Sequence, residues 1–199
     1  DDITMNILTA LQVKLTEGDK IRALSRGTKN LNAYFKWFEG RQHFLRLNKD
    51  DNLKARQLLE EAIKLDPNFP SPYTDLAWTH LFGIRFGQSK SPKESIGLAE
   101  ELGKKAISLD ESSAFAHSLL GAIFLVKRQF EEAISQGEKA VSLSPGHSIA
   151  IGQFGRTLAY AGRYEESIAW LEKAKRLDPK ALTWVLTMLG HCHLYLESY

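Results

Sequence analysis

From Ala114 onward the apolar and polar positions repeat. Two lines of about 34 residues, AFAHSLLGAIFLVKRQFEEAISQGEKAVSLSPGH and SIAIGQFGRTLAYAGRYEESIAWLEKAKRLDPKA, can be laid one over the other. Gly121 then falls on Gly155, Phe130 on Tyr164, Ile134 on Ile168, Leu143 on Leu177 and Pro145 on Pro179. Within each line, apolar residues recur at helical spacing in two segments, with a short polar break between them. Each line therefore predicts an antiparallel pair of helices, A and B. A fixed period of this length predicts a stack in which each hairpin packs only on its neighbours.

The same pattern extends in both directions, predicting hairpins over 31–67, 71–111, 114–145 and 148–179 and a half repeat over 183–199. In the first, Asn30 caps a helix over 31–47, the polar run 48–52 is the turn, and Asp66-Pro67 ends a helix over 53–65. Proline cannot continue the hydrogen-bond ladder and pushes the residue before it out of helical geometry. The second hairpin opens at Ser71-Pro72, an N-cap followed by proline at the first helical position. Its length exceeds the period by about ten residues, and the excess is expected in the turn, over 83–90. Ser91-Pro92-Lys93-Glu94 then restarts the chain as a capping box. Glu111 stands where the other repeats have proline. Gly121, Ala133 and Ala140, and Gly155, Ser167 and Ala174 in the next repeat, mark close approach of two helices. A bulky residue there would cost about 1–3 kcal/mol.

The opening lies outside this register. Ile3, Ile7, Leu8, Leu11 and Leu15 predict a helix over 1–16, and residues 1–29 read as a capping or linker segment. At the other end, Gly190 takes the small position of a fifth repeat whose second helix is not present. The apolar Leu186, Leu189, Leu194 and Tyr195 suit a longer array better than a cap, and exposed ends allow self-association.

Composition narrows the function classes. Net charge is +2 with both signs interleaved, so the concentrated basic face that nucleic acids require is not expected. A single cysteine, Cys192, excludes an intrachain disulfide and points to a reducing, cytoplasmic setting. Apolar runs such as AIFLV at 122–126 are too short to span a bilayer, so no membrane partner is expected.

The small–small–aromatic–small–proline pattern of 114–180 resembles the tetratricopeptide repeat (TPR), and the match extends from about residue 33 to the end. The resemblance implies an all-α, right-handed solenoid of helical hairpins. It also implies a protein-interaction scaffold that binds a peptide or helix in a groove lined by the A helices. Carried over by position, that groove presents Tyr34, Trp37 and Arg41 from the first repeat, and Asp75, Trp78 and Phe82 from the second. Phe115 and Ser118 follow from the third, Gln153, Arg156 and Tyr160 from the fourth, and Trp184, His191 and Tyr195 from the last. Aromatic rings and arginines are what binding hot spots are made of. The subset of the family that clamps a C-terminal carboxylate uses Lys and Asn where this chain has Trp37, Thr74, Ser118, Gly152 and Thr187, so that clamp is not expected. Residues 1–70, from DDITMNILTALQVKLTEGDKIRAL to EEAIKLDPNF, resemble the stretch leading into the repeats of bacterial class III adenylate/guanylate cyclase-like proteins. That resemblance implies a regulatory role beside a cyclase domain of the same polypeptide.

No chemistry is expected in this chain itself. The phosphate-loop, dinucleotide, zinc-protease and nucleophile-elbow motifs are all missing, so neither an enzyme nor a cofactor is predicted. His191-Cys192-His193 invites a metal reading, but residues two apart on a helix do not share a face. The pairs Glu131-Glu132 and Glu165-Glu166 each open a B helix, where carboxylates complement the helix dipole.

Overall fold

The computed structural model describes residues 27–179 and 183–197; the expected helix over 1–16 and Tyr199 lie outside them. The described residues form helices α1 (Leu31–Phe44), α2 (Lys49–Leu65), α3 (Pro70–Arg85), α4 (Pro92–Leu109), α5 (Ala114–Val126), α6 (Phe130–Leu143), α7 (Ser148–Tyr160), α8 (Tyr164–Leu177) and α9 (Thr183–Glu197). Odd-numbered helices are the A helices and even-numbered ones the B helices. No strand occurs among the described residues.

Most starts have a local cause. Side chains of Asn30, Asn48, Ser91 and Ser113 accept the backbone N–H three residues on, satisfying a donor the helix cannot. Asn48 corrects the sequence reading of the first turn. The run 49–52 is the opening of α2, whose Asp50 and Asp51 sit where the dipole favours them. Likewise α3 begins at Pro70 rather than Pro72, with Phe69 before it making no side-chain cap. The ten-residue excess is not confined to one loop either. It is shared among a longer α3, the loop over 86–91 and a longer α4. Gln88 ties that loop down: its Nε2 donates to the Lys49 carbonyl at 2.6 Å and its Oε1 accepts from Asn52 at 2.7 Å.

Glu111 in place of proline changes nothing in the backbone. Asp110 is as extended (φ −148°, ψ 94°) as Asp66 before Pro67 (φ −146°, ψ 94°). Both carboxylates accept the backbone N–H two residues on, at Asn68 and Ser112, each at 3.0 Å. This Asx turn sets the exit from a B helix with or without proline.

The small positions are close contacts. A Cβ on Gly155 would lie 2.8 Å from Leu171 Cγ, and one on Gly121 would lie 3.3 Å from the Ala133 carbonyl oxygen. Ser167, at the alanine position, donates its hydroxyl to the Gly155 carbonyl at 2.7 Å, so its polar atom is satisfied inside the seam. One continuous apolar cluster runs from Ala33 to Ile123 and a second from Ile134 to Cys192. Phe69, on the link between α2 and α3, is fully buried and meets Trp37 edge-to-face at 5.6 Å.

Candidate binding groove

Each of α1, α3, α5 and α7 packs on its own B helix and also on the next A helix, and each B helix packs on the A helix that follows it, whereas no two B helices touch among the described residues. The A helices therefore line the inner side of the stack. There, Asp75 of α3 is buried to 0% exposure. Trp37 Nε1 of α1 donates to its carboxylate at 2.7 Å, and Arg41 Nη1 donates to both oxygens at 2.8 and 3.0 Å. The Arg41 guanidinium also sits 5.2 Å from the Phe115 ring centroid, within cation–π range. These residues, with Thr74 and His147, line a cleft of about 460 Å³ bounded by α1, α3 and α5 and the start of α7.

The sequence-predicted residues divide by depth. Trp37 (4% exposed) and Trp78 (6%) belong to the wall of the groove, their faces covered by neighbouring helices. Trp78 packs on Phe82 and Phe115 at 6.2 and 6.1 Å, and Phe82 in turn meets Phe44. Tyr34 is half-buried beside Trp37 at 5.5 Å. Farther along, the Arg156 guanidinium lies 5.9 Å from the Trp184 ring, while Tyr160, one turn on, is 61% exposed. His191 is exposed, and Tyr195 stacks on Tyr164 of α8 at 5.1 Å, almost parallel. Several lining residues lie outside the positional carry-over, most of them in the links between repeats, and His147 is the one that meets a groove ring. His147 precedes α7, accepts the Ala150 N–H on Nδ1 at 3.2 Å and packs on Phe115. Its place in a link between repeats left no periodic signal to find it by.

Away from the groove, burial and the neighbouring Arg56 hold His80 down at about 4, from an ordinary 6.5. The folded state thus prefers the neutral ring. The contribution of His80 to stability is constant above pH 6.5, falls as pH drops from about 6.5 to about 4, and is flat below, where both states are protonated. For a partly exposed ring this amounts to about 1–2 kcal/mol. Urea unfolding at pH 7 and pH 4.5 is expected to show that loss in wild type and a smaller one in His80→Gln; equal slopes would remove His80 from the account. No group of His, Cys, Asp and Glu among the described residues is placed to hold a metal ion, and His191 and His193 are exposed while Cys192 between them is buried. No helix among the described residues is long and apolar enough to cross a membrane.

The family model for the tetratricopeptide repeat matches residues 150–181. A thermophilic TPR protein of Thermus thermophilus superposes with a TM-score of 0.67, at 20% identity, over 82% of each chain. The fold is a TPR solenoid. YrrB, described as a TPR protein with an unusual peptide-binding site, is similar over 74% of this chain and 71% of its own, at 20% identity and a TM-score of 0.50. By sequence, this TPR chain is 30% identical over 133 residues to a Rhizobium meliloti (strain 1021) protein named "Putative adenylate cyclase 3". That match covers 67% of this chain but only 23% of the relative, so the chain spans about a quarter of that protein's length.

Proposed function

We propose that this TPR solenoid is a protein-interaction scaffold that holds a peptide or helix of a partner along its A helices. The observation that carries the reading is the open cleft of about 460 Å³ on the inner side, walled by rings and lined by Arg41, Thr74 and His147. A seam between helices that served packing alone would be filled, because protein interiors leave few voids larger than a water. Rings of Trp37 and Phe115 stand among polar groups in this cleft, and Tyr160 is exposed farther along the A helices, a mixture that suits an amphipathic segment. YrrB, of the same fold, is described as binding peptide.

Peptide display against the purified chain tests this. Peptides selected on wild type are expected to bind Tyr160→Ser about tenfold more weakly, a hot-spot loss. Lys139→Ala, on an exposed position of α6, is expected to leave them unchanged. Selected peptides that bind both variants equally well would place the binding surface elsewhere.

The "Putative adenylate cyclase 3" match supports a more specific setting, in which the bound segment belongs to a cyclase-like parent and the TPR region regulates it. Reading the full open reading frame tests this directly: a cyclase domain ahead of residue 1 supports it, and any other neighbour removes it.

A further inference from the structure

Arg156 stands apart from the other arginines that face protein. Arg41 is met by Asp75, Arg163 by Glu166, and Arg56 by the carbonyl and hydroxyl of Thr79. The Arg156 guanidinium makes no hydrogen bond and no ion pair with any described residue; its Nε is buried without a partner, and its charge-related neighbours are the Trp184 ring and Tyr160. The residue is half-buried with its Nε closed off from water, which is costly for a cation with no carboxylate opposite it, and burial accordingly pushes this guanidinium below its ordinary range.

Among the described residues no carboxylate acts on this guanidinium. Helices α5 and α7 contain no Asp or Glu, and the remaining A helices carry only Glu39, Asp75 and Glu197. Asp75 is already engaged, Glu166 is held by Arg163 and Glu165 is exposed. Other orphaned polar atoms follow the same inner row: Trp78 Nε1 on α3, Ser118 Oγ on α5 and Gln153 Oε1 on α7, each buried and without a partner. The inner side of the second to fifth repeats thus carries buried polar atoms without partners and one guanidinium without an ion pair, floored by Trp184 and flanked by Tyr160.

We infer that the segment held in the groove is an acidic peptide, and that one of its carboxylates seats on Arg156 over the face of Trp184. This rests on the groove reading and adds to it the chemistry of the partner. A single cation beside two aromatic rings suits a carboxylate next to an apolar side chain, whereas a nucleic acid would call for several cations spaced along its phosphates.

The test uses the peptide selected most tightly by display on the wild-type chain and the same peptide with each Asp or Glu changed to its amide. On wild type the acidic form is expected to bind at least about tenfold more tightly than the amide form. On Arg156→Met the two are expected to bind within about twofold of each other, and Arg156→Lys is expected to keep part of the preference. Melting of Arg156→Met at or above the wild-type temperature shows that the lost preference is not unfolding; should it melt early, Arg156→Gln provides the same comparison. A selection devoid of acidic residues, an acid-to-amide ratio unchanged in Arg156→Met, or equal competition by a single-stranded thymidine oligonucleotide would each overturn the inference. Failure of the groove reading looks different: there, Tyr160→Ser binds the selected peptides as tightly as wild type.

Discussion

Asp75→Ala is expected to destabilise the first two repeats by about 3–5 kcal/mol. The carboxylate is fully buried and receives Trp37 Nε1 and Arg41 Nη1, so its removal leaves a desolvated indole N–H and a half-buried cation unmatched. Asp75→Asn should cost less, since the amide oxygen still accepts from Trp37 although the charge is gone. Pairing Asp75→Leu with Arg41→Met should recover much of the loss, because an apolar pair avoids desolvating two charges. The readout needs local resolution, since repeat arrays unfold by segments. Hydrogen exchange is expected to show protection falling in α1 and α2 while α7 and α8 keep theirs. A uniform loss across the chain, or an equilibrium cost below about 1 kcal/mol, would show that the carboxylate is not what joins α1 to α3.

Phe69→Ala is expected to cost about 3–5 kcal/mol through the cavity it leaves. The ring is at 0% exposure, on a link rather than a helix, and plugs the space behind Trp37. Its loss removes packing from α1 and α3 at once, so the urea midpoint should fall sharply with the slope unchanged. Phe69→Leu, which keeps most of the volume, should lose far less. If the alanine and leucine variants unfold at the same midpoint, cavity formation is not the cause.

Much of the stack was legible because the rules that build it act within one repeat. Asn30, Ser91 and the residue pair Asp66-Pro67 mark helix ends by chemistry local to a few positions. Gly121 and Gly155 mark close approach because the period puts each opposite its own B helix. Where local signals competed, the reading slipped. The run at 48–52 has turn composition and helix-opening composition at once, and only the Asn48 cap to Asp51 N–H decides between them. Pro70 and Pro72 are both able to start a helix, and the chain used the earlier one. The insertion in the second repeat was counted correctly but placed in the turn, since periodicity fixes a length without saying which element absorbs it. In the groove, position along the A helices was legible and depth was not. Trp37 and Tyr160 both fall on the inner row, yet one is inside the wall and the other in solvent. What draws Trp37 inward is the Asp75 carboxylate on the next A helix, 38 positions along the chain. No pattern within a single repeat contains that pair.

The one-sided contact pattern of the stack also has a mechanical meaning. Successive A helices abut, while successive B helices are separated by the A helix that sits between them. Across repeats the outer edge is joined only through the contact of each B helix with the A helix that follows it, so this edge can open by tilting those contacts without breaking a B–B pair. Compressed, such a coil meets the inner row as a stop. Curvature is therefore the soft coordinate of this molecule, and whatever lies along the inner row sets the radius to which the coil relaxes.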